Sequence, residues 1–283
     1  MKIEKNVDLS SYTSLRVGGV AKKFYRPERI EDLKKLTLVL ENYYVLAAGS
    51  NLLINDACEF DHVIYMGDYE KDLLNIEDSK IIYSSSAIRI QKLLNFANKN
   101  HLGGAEYLYS LPAMVGGIVG MNAGRGKSYN KSISDYIVSV DVVENGELKT
   151  LSREECDFSY RRSNLTNTAA IIHAVKFDFD SVAVEEGKRR LKERMDFSKS
   201  KQALNLPSAG SVFKKSNGKI LRFIRRIPQD KSGLYFSEKT VNWISNGGNG
   251  TYAQAKKLIN RTKLVHKLFR KEIELEWHVW TDE

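Results

Sequence analysis

Two glycine-bearing segments offer the clearest chemistry in this 283-residue sequence. The first, Ala47-Ala48-Gly49-Ser50-Asn51-Leu52, closes the apolar run Tyr43 to Ala47 with a turn of small residues. Such a turn can aim successive backbone N–H groups at an anion, with the Ser50 hydroxyl and Asn51 amide as further donors. An ordinary strand-to-strand turn has the same composition. The second segment, Pro112 to Gly124, contains Gly116, Gly117, Gly120 and Gly124. Glycine costs about 0.5–1 kcal/mol against alanine inside a helix, so this density requires a reason. The spacing of Gly116, Gly120 and Gly124 would bare one helical side to a backbone or a ligand. A helix start here would also present N–H groups to a pyrophosphate. Close packing of a small-residue helix is the competing account.

Several other chemistries are excluded. No GxGxxG occurs, which argues against a Rossmann dinucleotide fold. Gly126-Lys127-Ser128 imitates the end of a P-loop, but Met121 occupies the required upstream glycine position. The five histidines form no HExxH or other close pair, and Cys58 and Cys156 are far apart. Neither a metal site nor a disulfide framework is expected. The net charge of +9 invites a nucleic-acid reading. Basic and acidic residues are interleaved, however, and the densest stretch, Lys188 to Arg194, reads as the solvated face of a helix. A small phosphate-bearing ligand would account for the charge equally well. No secretory h-region and no run of about 18 apolar residues is present, so the expectation is a cytoplasmic protein without a membrane partner.

The positioning elements read as α+β. Strands are expected at Tyr43 to Ala47, His62 to Met66, Val138 to Val143 and Ala170 to Phe179, with a hairpin turn at Asn145-Gly146. Ile88, Ile90, Leu93, Leu94 and Ala97 have helical spacing. A charged linker helix is expected over Val184 to Asp196. Thr251-x-x-Gln254 reads as a capping box for a helix with Ala255, Leu258, Ile259, Thr262, Val265 and Leu268 on one face. The last strand puts Ile273, Leu275, Trp277 and Val279 on one side and Glu274, Glu276 and His278 on the other.

Six pieces in order resemble the family of UDP-N-acetylenolpyruvoylglucosamine reductases (MurB). They are Thr13-Ser14-Leu15-Arg16-Val17-Gly18-Gly19, Gly49-Ser50-Asn51-Leu52-Leu53, Pro112 to Gly124, Phe158-Ser159-Tyr160-Arg161-Arg162-Ser163, Ala209-Gly210-Ser211-Val212-Phe213-Lys214, and Ser237-Glu238-Lys239 with Asn242-Trp243-Ile244. The resemblance implies two FAD-binding subdomains like those of vanillyl-alcohol-oxidase-type flavoproteins, at 1–67 and 68–181, and a substrate domain at 182–283. It implies that NADPH reduces FAD, and that hydride then passes to the enolpyruvyl ether of a UDP-sugar, giving UDP-N-acetylmuramate. By the same resemblance, FAD would contact Ala48, Gly49, Ser50, Asn51, Leu52, Pro112, Gly116, Gly117, Asn122, Ala123 and Gly124. Arg161 would hold the substrate carboxylate, and Ser211 would protonate the α-carbon.

The sequence departs from the family at named positions. Ala47, Ala48 and Ala113 stand where glycine is usual, Thr240 where histidine is, and Ser216 where proline is. His278 occupies the position of the glutamate that assists catalysis, with Glu276 about 7 Å along the same strand face. An imidazolium at 278 could donate a hydrogen bond in the glutamate's place, giving turnover that falls as pH rises through about 6.5. The alternative is a flavoprotein of this type whose catalytic activity is lost or altered.

Overall fold

The computed structural model describes residues 1–78, 80–125, 130–166 and 168–281. The P-loop imitation Gly126-Lys127-Ser128 lies outside the described residues. The first strands are β1 (Lys2–Asp8), β2 (Val20–Arg26), β3 (Tyr44–Leu46), β4 (Leu52–Ile54) and β5 (Glu59–Tyr65). Then follow β6 (Leu74–Glu77), β7 (Ile81–Ser85), β8 (Leu102–Gly103), β9 (Gly124–Arg125) and β10 (Lys131–Ser132). The middle of the chain adds β11 (Ile137–Glu144), β12 (Glu147–Ser152), β13 (Ile171–Asp178) and β14 (Asp180–Ser181). The end holds β15 (Phe213–Lys215), β16 (Leu234–Phe236), β17 (Ile244–Asn246), β18 (Glu274–Leu275) and β19 (His278–Trp280). Six α-helices are described: α1 (Ile30–Val39), α2 (Ile90–Lys99), α3 (Val115–Gly120), α4 (Val184–Lys201), α5 (Gly218–Arg226) and α6 (Tyr252–Leu268). The mixture is α+β, as the sequence pattern implies.

The chain packs as two compact units. The first comprises residues 1–4, 23–48 and 62–197, and the second 5–22, 49–61 and 198–283. The expected segment boundary at 181/182 falls inside the first unit, because α4 stays with that unit through Phe197.

In the first unit an antiparallel sheet runs β12–β11–β13–β7–β6. Asn145 and Gly146 both have positive φ, 51° and 79°, which supplies the backbone twist that a two-residue hairpin between β11 and β12 requires. Ile90, Leu93, Leu94 and Ala97 of α2, and Val115, Ile118 and Val119 of α3, bury their side chains with Val140, Val175 and Phe177 of the sheet. Each such valine, leucine, isoleucine or phenylalanine, fully buried, contributes about 1.5–3 kcal/mol, enough to override the weak helix propensity of a Val-Gly-Gly sequence. With those three residues turned to the core, Gly116 and Gly117 are left on the other side of α3. The basic stretch of α4 is a solvated face only in part. Arg189 and Arg190 pair with Glu186, whereas Arg194 is 5% exposed and stacks over the Phe197 ring.

The second unit has short strands around one apolar cluster that includes Leu15, Leu53, Phe213, Leu221, Phe236, Ile244, Leu258 and Trp277. The capping box forms: the Thr251 hydroxyl accepts from the Gln254 N–H, and the Gln254 amide oxygen accepts from the Thr251 N–H. The buried face of α6 is Ala255, Leu258, Ile259, Thr262 and His266, while Leu268 is exposed. His266 takes its place there because its Nε2 accepts from the Asn217 N–H at 2.9 Å, which satisfies a polar group at no exposure. The final strand is interrupted. β18 pairs antiparallel with β15, and β19 pairs parallel with β4. Regular alternation therefore stops between them, and Val279 faces solvent, 38% exposed.

Candidate active site

The glycine segment of the first unit begins α3. Its Val115 N–H donates to Ile88 O at 2.9 Å, and its Gly116 N–H donates to Ser86 O at 2.7 Å. A β-carbon on Gly116 would lie 3.0 Å from Ser86 Cβ, so neighbouring protein atoms account for that glycine. Gly117 differs. A β-carbon there would meet only Ala47 Cβ, at an ordinary 3.9 Å, and the residue is exposed. No protein atom requires glycine at 117. The contact also shows that Ala47 of the first sequence segment lies beside the second. The first two N–H groups of α3 are taken up by Ile88 O and Ser86 O, so they are not presented to a pyrophosphate as the sequence suggested.

The expected bare face of Gly116, Gly120 and Gly124 does not form, because α3 ends at Gly120. A β-carbon at Gly120 would sit 3.2 Å from Thr166 Cγ2, and one at Gly124 2.3 Å from Lys131 O. The regular spacing conceals three separate local demands.

Residues 158–163 dock on the same segment. Asn122 Nδ2 donates to Ser159 O at 2.8 Å, and Ser163 Oγ donates to Gly120 O at 2.7 Å. Arg161 Nη1 donates to Asn122 O at 3.3 Å, Nη2 donates to Gly124 O, and the guanidinium stacks on the Tyr160 ring at 5.0 Å. Arg161 has φ 56° and Asn122 φ 41°. The left-handed region costs an arginine about 1–2 kcal/mol, which the surrounding hydrogen bonds must offset. A half-buried guanidinium is thereby fixed beside the glycine segment. Pro112 is exposed at the entrance to the segment, and half-buried Ala123 continues from it.

In the second unit Gly49 has φ 58°, and a β-carbon there would strike Tyr12 O at 2.2 Å. Glycine is obligatory at this turn. Ser50 is half-buried. Asn51 Nδ2 donates to Glu276 O at 3.0 Å, and Asn51 O accepts the His278 N–H at 3.0 Å. Leu52 pairs with His278 in the parallel register. The turn and His278 are thus neighbours.

Ser211 is half-buried and forms a β-bridge with Trp243. Its segment is gripped from both sides. Asn242 accepts from the Phe213 N–H and donates to Phe213 O, at 3.2 and 2.7 Å. Trp277 Nε1 donates to Ala209 O at 3.0 Å, and the Glu276 N–H donates to Val212 O at 2.8 Å. Sequence reasoning missed Asn242 and Trp277 as supports; their signal was the Asn242-Trp243-Ile244 motif and a tryptophan in a short terminal strand. Glu276 does not share one regular strand face with His278, since the strand breaks between Leu275 and His278.

His278 is half-buried. Burial first, and then the Lys214 ammonium, holds its pKa below the ordinary histidine value. Lys214 is itself paired with Glu274 at 2.7 Å. At neutral pH the ring is neutral, which corrects the expectation of an imidazolium titrating near 6.5.

Residues 21–152 match the family model of an FAD binding domain, a span that contains both glycine segments and ends before Arg161, Ser211 and His278. The reductase of Thermotoga maritima named UDP-N-acetylenolpyruvoylglucosamine reductase is 31% identical, over 96% of each chain. The protein of that name from Clostridium novyi is 32% identical, over 97% of this chain and 90% of its own.

This chain belongs to the UDP-N-acetylenolpyruvoylglucosamine reductase family.

The crystal structure of the family member from Thermus caldophilus superposes with a TM-score of 0.83 at 28% identity, over 99% of this chain and 100% of that one. The family relationship therefore extends through Ser211 and His278, beyond the FAD-binding span. FAD is the cofactor of this domain. Among the described residues no group of histidines, cysteines and carboxylates could hold a metal ion, and no helix is long and apolar enough to cross a membrane.

Proposed function

We propose that the protein reduces the enolpyruvyl ether of UDP-N-acetylglucosamine to UDP-N-acetylmuramate with NADPH, a cytoplasmic step of peptidoglycan precursor synthesis. The observation that carries this reading is the family relationship over 96% of the chain together with the ordered supports around Arg161 and Ser211. FAD, when bound, would supply the hydride carrier between NADPH and the methylene carbon of the enolpyruvyl group. Gly116, Gly117 and the Gly49–Asn51 turn are the residues proposed to line its diphosphate. Arg161 orients the substrate carboxylate, where negative charge grows as hydride arrives, through the planar fork of its guanidinium. Ser211 gives its hydroxyl proton to the α-carbon. A serine is a weak acid, so this role depends on orientation, which the grip on residues 209–213 supports. His278, neutral and partly buried, is a hydrogen-bond donor through its ring N–H.

The histidine at the family's glutamate position favours one other reading, a flavoprotein that has lost or changed this reaction. A single experiment separates the two: NADPH oxidation by the FAD-loaded protein, measured with and without the enolpyruvyl UDP-sugar. Substrate-dependent oxidation is expected. A flavin-loaded protein that oxidises NADPH no faster with the sugar nucleotide would refute the reductase reading.

A further inference from the structure

A buried polar pair in the first unit has no part in the chemistry above. His173 on β13 is 6% exposed and Tyr69 is fully buried. Tyr69 Oη and His173 Nδ1 share a short hydrogen bond, with the rings edge-on at 5.7 Å. Leu33, Leu36, Met66 and Ile171 pack about Tyr69. The charged and titratable groups facing His173 come from three elements. Tyr83 of β7 has its ring 6.5 Å away, and its hydroxyl donates to Asp141 Oδ2 of β11 at 2.6 Å. Asp141 Oδ1 also accepts from Thr150 Oγ1, at 2.6 Å. Glu31 and Lys34 approach from α1.

The pair sits beneath the glycine segment. His173 O accepts the Ser86 N–H at 2.9 Å, and Ser86 O accepts the Gly116 N–H at 2.7 Å. Ser86 Cβ also lies only 3.0 Å from where a β-carbon of Gly116 would be. Two hydrogen bonds therefore connect His173 through Ser86 to the turn that begins α3, and a displacement of Ser86 must move Gly116.

We propose that His173 is a positioning residue for the flavin: neutral and bonded to Tyr69 it fixes Ser86 and so Gly116, and its protonation in acid loosens that turn and releases FAD. The inference rests on the reading that Gly116 and Gly117 border the FAD diphosphate. In the neutral pair one hydrogen is shared between Oη and Nδ1. Where the neutral Nδ1 accepts from the phenol, protonation places a hydrogen on Nδ1 itself, and the phenol must turn its own hydrogen away into apolar surroundings. Asp141, the carboxylate best placed to compensate, is engaged by Tyr83 and Thr150, and Lys34 opposes the new charge. Burial is the main cause holding His173 below the ordinary histidine range, with Asp141 acting in the other direction. Release therefore belongs on the acid side of that range.

The test follows the rise of flavin fluorescence as the FAD-loaded protein is taken from about pH 8 to about pH 5, for wild type and His173→Gln, whose amide can bond Tyr69 but does not titrate. The wild-type dissociation constant is expected to rise about tenfold per pH unit beyond the midpoint, as linkage to one proton dictates, and that of the variant by less than about threefold over the interval. Histidine-resolved NMR of the wild type gives a second measurement that needs no variant: His173 should take up its proton over the interval in which flavin leaves. Identical release curves for wild type and variant, or a His173 still neutral after the flavin has gone, would overturn the proposal. A wild type that binds no FAD at about pH 8 would instead overturn the flavin reading, and the inference with it.

Discussion

The cluster around Arg161 and the cluster around Ser211 are built by different means. In the first unit the glycine segment rests on the β7–β13 region of a five-stranded sheet and is fixed by main-chain bonds to Ser86 and Ile88. Its arginine is held in a left-handed conformation by the carbonyls of Asn122 and Gly124. In the second unit the strands of residues 198–283 are two or three residues long, and side chains fix the serine segment: the Asn242 amide and the Trp277 indole. Under the proposed function the backbone cradle borders the cofactor and also fixes the arginine that meets the substrate, whereas the serine segment, pinned by side chains, concentrates the cost of error in a few replaceable groups. The variants that follow test this contrast by asking which half of the reaction each one damages.

The largest effect is expected at Ser211. Ser211→Ala should leave reduction of the flavin by NADPH nearly intact and slow reoxidation by the enolpyruvyl substrate by about 10²–10⁴-fold, the usual worth of a general acid. Stopped-flow absorbance at the flavin band resolves the two half-reactions. Equal slowing of both would show that the two clusters are not separable in this way.

Arg161→Lys comes next. It keeps the charge but loses the fork that reaches two carbonyls and, in the proposed role, a planar carboxylate, and an effect of about 10²–10³-fold on kcat/KM for the substrate is expected, as for loss of one transition-state donor. The left-handed conformation at 161 also offers a control. Arg161→Gly relieves the strain while removing the guanidinium, so it should lose activity at least as severely as Arg161→Lys without a comparable loss of thermal stability. A variant that is inactive only because it melts would remove Arg161 from the site.

The glycines give a smaller and more local comparison. Gly117→Ala meets nothing closer than 3.9 Å, so stability without flavin should be unchanged or slightly raised, while FAD affinity falls. Gly116→Ala pushes against Ser86 and should destabilise the protein itself by about 1–3 kcal/mol. Calorimetry with and without FAD distinguishes a position cleared for a ligand from one cleared for the protein. If both variants lose stability equally in the absence of FAD, the cofactor account of Gly117 fails.

How much of this was legible in the residues differs between the clusters for a physical reason. Local chemistry announces itself. Asn145-Gly146 and Thr251-x-x-Gln254 act within a few residues, and both formed as their composition dictates. The α2 periodicity likewise identified its buried face. Demands set by distant atoms were hidden. Nothing in the composition around Gly124 says that Lys131 O will lie against it. The terminal strand read as one regular alternation because periodicity is blind to a change of partner. β18 and β19 pair with strands about 160 residues apart in the chain, and the break between them separates Glu276 from the register of His278. The charge state of His278 was equally out of reach, since burial and Lys214 set it.

His278 gives the smallest expected effect and the finest test. Its folded-state pKa lies below the unfolded value of about 6.5, so the unfolded chain binds more protons in the interval between the two. The stability due to its neutral form is therefore fully present above about pH 6.5 and is lost as pH falls through the folded pKa. His278→Gln removes this dependence. Urea denaturation should show wild type losing more stability than the variant on going from about pH 7 to about pH 5, and equal slopes above about pH 7. Activity should follow the same logic. Because the ring is already neutral, turnover near neutrality should show no limb that His278→Gln abolishes; a limb due to His278 belongs at lower pH. Lys214→Met carries the argument one step further, since removing the ammonium should raise the His278 pKa toward the ordinary value and move that limb upward. A neutral-pH limb in the wild type that His278→Gln abolishes would show that the ring is charged at its work, and that burial and Lys214 do not set its state.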